Sequence, residues 1–171
     1  ILVIHPGALG DVVLSFPVMK RLASCFSSVH MACQGEVGKI AHRLGIVERA
    51  FALESAFFAG LYGPPSTRFS AWLGQYHTVL LFSISEALEQ HLKSEASAAI
   101  VRVAPRPGPD VRIHVSDYLE REVVRSGLIQ ADGSGNALHA MVGFCNRRDE
   151  NAVKGTILIH PGAGSQKKRW P

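Results

Sequence analysis

The sequence predicts an α/β fold in which a parallel sheet carries helices on both faces. Three observations lead there. Short runs rich in Val, Ile and Leu recur at residues 1–4, 29–33, 50–53, 79–82, 98–103 and 157–159, each the length of a strand buried on both faces. Helix-length segments of mixed polarity alternate with them, at 11–24, 36–44, 68–75, 86–94 and 116–126. A chain of 171 residues with 47% hydrophobic content can also bury a real core between such layers.

The first apolar run, ILVI, leaves through HPGALGD. Gly7 and Gly10 permit tight turns and let a ligand approach main-chain N–H groups. Their spacing fits neither the dinucleotide fingerprint nor a P-loop, which disfavours a nucleotide-dependent oxidoreductase. Asp11 falls where the next helix begins and reads as its N-cap. Pro17 lacks a donor, so that helix must kink or restart nearby. His5 is read in two ways, as an imidazole hydrogen-bonded to the loop backbone or as a contact for an anionic ligand.

In the segment 36–44, Val37, Ile40, Ala41 and Leu44 are spaced for one apolar face, and Gly45 follows as a C-cap. Trp72 and Tyr76 precede the fourth strand and are expected in the core or in a cleft wall. The fourth and fifth strands and the helix 116–126 then complete one α/β unit.

The stretch ADGSGNA at 131–137 and the polar run 146–154 mark a break. The expected division is a Rossmann-like domain over 1–130, an interdomain linker over 131–155, and the first strand and loop of a second domain over 156–171. The pentapeptide IHPGA stands at 4–8 and again at 159–163. Two α/β units facing each other across a cleft would each contribute such a loop at a strand's carboxyl end, where ligands of these sheets bind. Chance repetition of a common Pro-Gly exit is the alternative. In the second loop Gly162, Gly164 and Ser165 offer donors, and Lys167, Lys168 and Arg169 add positive charge. The combination suits a phosphate cradle, or a solvated basic turn.

Composition narrows the rest. No apolar run approaches the ~20 residues of a membrane-crossing helix, and no basic leader precedes ILVI, so a cytoplasmic location is expected. Cys25, Cys33 and Cys145 are an odd set without close pairs, which argues against a disulfide framework or a zinc knuckle. A net charge of +4 fits an anionic small molecule or a membrane surface, and no aromatic-interleaved basic stretch points to nucleic acid.

Two motifs carry a resemblance. PGALGDVVLSFPVMKRL, with Gly7, Gly10, Asp11, Pro17 and Leu22, is similar to the opening of glycosyltransferase family 9, the bacterial lipopolysaccharide heptosyltransferases. HPGAGSQKKRWP looks like that family's donor loop, and IHVSDYLEREVVRSGL, with His114 and Tyr118, is a weaker match to the helix closing its first domain. The resemblance implies a GT-B arrangement of two Rossmann-like domains, of which this chain holds the N-terminal half and the start of the second, as a fragment inactive by itself.

It further implies transfer of heptose from ADP-heptose to an anionic lipopolysaccharide inner-core acceptor, with inversion and without a metal ion or other cofactor. Asp11 matches the catalytic aspartate. Gly162, Gly164, Ser165 and Lys168 match the donor-phosphate loop, and His5, Gly7 and Gly10 lie on the acceptor-side loop. Contact with the inner face of the inner membrane would come through the lipid acceptor. A helix N-terminus favours the charged carboxylate and so opposes its service as a base. The sequence departs from the family at His5, where arginine is frequent, and at His77 and Ser83, where aspartates are. A non-catalytic sugar- or nucleotide-binding module with the same fold is the competing expectation.

Overall fold

The computed structural model describes residues 1–64 and 66–131; most of the expected linker and all of the expected second unit lie outside the described residues. Five strands, β1 (Leu2–Ile4), β2 (His30–Cys33), β3 (Arg49–Ala52), β4 (Thr78–Phe82) and β5 (Ala99–Val103), form one sheet in the order β3-β2-β1-β4-β5. Every pairing is parallel. The helices are α1 (Leu9–Leu14), α2 (Phe16–Cys25), α3 (Gly35–Arg43), α4 (Thr67–Leu73), α5 (Glu86–Glu95) and α6 (Val115–Arg125), with a 3-10 helix at Ala56–Leu61 that the sequence did not announce. Among the described residues no helix is long and apolar enough to cross a membrane.

Alternation of side chains along the strands builds two cores. Val3, Met31, Cys33, Leu80 and Phe82 point to one face and meet α1, α2, α3 and α6 through Val12, Met19, Leu22, Val37 and Leu119. Leu2, Ile4, Ala32, Val79 and Leu81 point to the other, where the 3-10 helix, α4 and α5 supply Phe58, Phe69, Leu73 and Leu92. Trp72 and Tyr76 belong to this second core, with the Trp72 ring 5.2 Å from both Phe51 and Tyr76. The expectation that every strand is buried on both faces holds for the central three. The outer strands β3 and β5 are half-buried, because each has a neighbour on one side only.

The helix after β1 does restart near Pro17. α1 ends at Leu14, Ser15 stands between the helices, and Pro17 occupies the first turn of α2, where its missing N–H costs nothing. The Ser116 hydroxyl, buried on α6, donates to the Leu14 carbonyl at 2.9 Å and joins the break to the last helix.

Gly45 ends α3 as expected, at φ 65°. Its N–H donates to the His42 carbonyl and that of Ile46 to Ala41, both at 2.9 Å, which is the paired bonding of a Schellman motif. The apolar face of α3 differs from the sequence reading. Val37, Gly38 and Ala41 are buried, whereas Ile40 and Leu44 are exposed. A Cβ at Gly38 would stand 3.0 Å from Cβ of Ala50, so the helix turns its glycine toward the sheet to gain close approach, and Ile40 and Leu44 rotate outward.

Candidate functional site

The strand order reverses between β1 and β4, and the loops after these two strands leave the sheet side by side at its carboxyl edge, the position of the ligand crevice in open parallel sheets. Into it run the first loop, residues 5–8, the turn 83–85 after β4, and the segment 104–114 after β5. Ser83 is buried and its Oγ accepts the Ser85 N–H at 3.0 Å, which shapes that turn. His77, the other departure from the family pattern, is exposed at the opposite end of β4 and takes no part.

His5 is fully buried. Its N–H donates to the Ala32 carbonyl at 2.8 Å, and its ring packs 5.0 Å from Phe82. Nδ1 accepts the Gly7 N–H at 3.1 Å, so the neutral ring carries its proton on Nε2. Burial pushes the pKa down to about 4 against an opposing pull from Asp11. Of the two readings of His5, hydrogen bonding to the loop backbone is therefore realised. Nε2 is also buried and has no partner among the described residues. Gly7 is required by space: an added Cβ would lie 2.7 Å from Cε1 of His5 and 3.2 Å from Cβ of Asp11. Gly10 faces open space.

Asp11 is not the N-cap that the sequence suggests. The tight exit through Pro6 and Gly7 lets the helix begin at Leu9, two residues earlier, with Ala8 in the cap position and making no side-chain bond. Asp11 thus sits inside the first turn with its carboxylate turned into the crevice toward β5. There it accepts two bonds from Arg106, Nε to Oδ1 at 2.9 Å and Nη2 to Oδ2 at 2.7 Å. The pair is lopsided, the aspartate side chain being 15% exposed and the arginine 66%.

Arg106 escaped the sequence reading. Its only local signal is the flanking of Pro105 and Pro107 in APRPGP, and the residue it serves lies far away in the chain. Glu54 was missed as well. Its carboxylate accepts the Gly35 N–H at 2.9 Å and caps α3 beside the first loop. A cleft of ≈ 560 Å³, lined by Pro6, Gly7, Gln34, Glu54 and Tyr62, opens next to that loop. Leu9 at the start of α1, Ile84 in the turn after β4 and Val111 in the segment after β5 are exposed.

The expected donor-phosphate residues Gly162, Gly164, Ser165 and Lys168 lie outside the described residues, as do His160 and Cys145. Cys25 and Cys33 are free thiols, and burial pushes that of Cys33 up to about 12. Among the described residues no three His, Cys, Asp or Glu side chains gather to hold a metal ion. The loops after β1 and β5 thus bring together the Asp11 carboxylate under the Arg106 guanidinium, with the neutral His5 beneath the first loop. No family model, curated protein or solved structure matches the chain.

Proposed function

We propose that the chain is the acceptor-binding half of a GT-B inverting glycosyltransferase, one that moves a heptose from ADP-heptose to a lipopolysaccharide inner-core sugar. The reading starts from the resemblance to glycosyltransferase family 9. The observation that carries it is the position of Asp11, a carboxylate in the first turn of the helix that follows β1 at the sheet's switch point, facing the crevice and mostly shielded from solvent.

In the proposed step an acceptor hydroxyl oxygen bonds to the anomeric carbon on the face opposite the diphosphate. The bond from that carbon to the diphosphate oxygen breaks, and its electron pair leaves with the diphosphate. The hydroxyl proton passes to Asp11. Main-chain N–H groups of residues 162–165, Ser165 and Lys168 would stabilise the departing charge, an expectation that rests on the sequence motif alone. The His5–Gly7 bond fixes the loop that leads into the helix carrying Asp11.

The Arg106 pair favours a second reading. Both Asp11 oxygens accept bonds from the guanidinium, and a sugar- or nucleotide-binding module would have no need to release them.

Calorimetric titration of ADP, with UDP and GDP for comparison, into the longest expressed form of the protein and its Lys168→Ala variant separates the two readings from a bare fold. Selective ADP binding that weakens in the variant supports the transferase. Absence of nucleotide binding in a form carrying a complete second α/β unit removes it.

A further inference from the structure

The Asp11–Arg106 pair joins a shielded carboxylate to an exposed cation across the mouth of the crevice. Pro105 and Pro107 restrict the backbone on either side of Arg106, and among the described residues the side-chain bonds of its guanidinium are the two to Asp11. The guanidinium already presents the paired N–H geometry that recognises a carboxylate or a phosphate, and at 66% exposure it reaches solvent from the position it holds. Asp11 therefore occupies the place that an anionic ligand would take.

We infer that Arg106 is an anion-responsive positioning residue. The carboxylate or phosphate of an acceptor sugar competes with Asp11 for the guanidinium, draws it away, and leaves the Asp11 carboxylate free to face the acceptor hydroxyl. This inference rests on the crevice being the acceptor site and adds to it a selection rule. A neutral sugar leaves Asp11 engaged, whereas an acidic sugar both binds and frees it.

Competition makes an unusual prediction. Removing the charge of Asp11 strengthens anion binding, although it deletes a residue of the site. Glucuronate, glucose 6-phosphate and glucose are titrated calorimetrically into the full chain and into Asp11→Asn, Arg106→Ala and Arg106→Lys, each checked for an unchanged melting profile.

The expected result is binding of one or both anions without glucose, loss in Arg106→Ala, partial retention in Arg106→Lys, and tightening by about two- to fivefold in Asp11→Asn, the range of a partly exposed ion pair. Equal or weaker binding in Asp11→Asn, binding unaffected by Arg106→Ala, or no anion binding even in Asp11→Asn overturns the proposal. These readouts need no turnover. If they fail while ADP-sugar turnover persists in a form carrying a complete second α/β unit, only the role of Arg106 is lost; if they hold while that form shows no turnover, the crevice is an acidic-sugar site and the transferase reading fails.

Discussion

Gly7 lies so close against His5 that a Cβ at position 7 would stand 2.7 Å from Cε1 and 2.9 Å from Nδ1 of the imidazole. Gly7 does not adopt a positive φ, so its requirement is one of space. Gly7→Ala is expected to force the ring aside, break the Nδ1 bond and cost about 1–3 kcal/mol. Gly10→Ala, in the first turn of α1 and facing open space, should be neutral or stabilise by up to about 1 kcal/mol. Urea unfolding of the two variants checks the contrast, and equal effects would contradict the packing described.

His5 makes stability depend on pH. Its pKa falls from 6.5 in the unfolded chain to about 4 in the folded one, so the unfolded state binds more protons between these values. The contribution is complete above about 6.5 and is lost as pH falls toward about 4. Stability should drop by roughly 2 kcal/mol from pH 7 to pH 5 on this account. His30, also lowered by burial, adds to the loss with the same sign. The carboxylates lowered by their partners, Glu36, Glu48 and Glu89, act below their ordinary range and leave this window largely clear. His5→Asn keeps an acceptor for the Gly7 N–H and should flatten the pH 7 to 5 dependence; an undiminished slope would assign it elsewhere.

The Ser116 hydroxyl answers a carbonyl that the Pro17 break leaves without a helical donor. Ser116→Ala should cost about 1 kcal/mol, since a partly buried hydrogen bond is lost. Hydrogen exchange should quicken at the α1–α2 junction in the same variant. A loss of stability without that local change would point to packing of α6 alone.

If Asp11 takes the acceptor proton, Asp11→Asn in a form able to turn over an ADP-sugar should lower kcat by about 10²–10⁴-fold while nucleotide affinity holds. Normal turnover in that variant would sink the mechanism.

The alternation of strands and helices, the five strands of the first unit, the restart at Pro17 and the cap at Gly45 were all legible in the chain. Each depends on neighbours a few residues apart: an apolar run, a missing N–H, a glycine free to take positive φ. Asp11 was legible as a residue of interest and was misplaced by one part of a turn, because the cap position depends on how sharply the loop leaves β1.

What the tertiary structure alone decided involves residues brought together by strand order. The sequence could not tell that β3 and β5 are edges, since a half-buried edge strand can carry the same apolar letters as a central one. It offered Ile40 and Leu44 for burial, and the close approach at Gly38 turned them to solvent. It gave no hint that Arg106 would meet Asp11, because β5 reaches the first loop only after β4 has crossed to the far side of β1. Local spacing determines which elements form. The order of strands in the sheet determines which of their ends share a crevice, and with it the chemistry that a single carboxylate can perform.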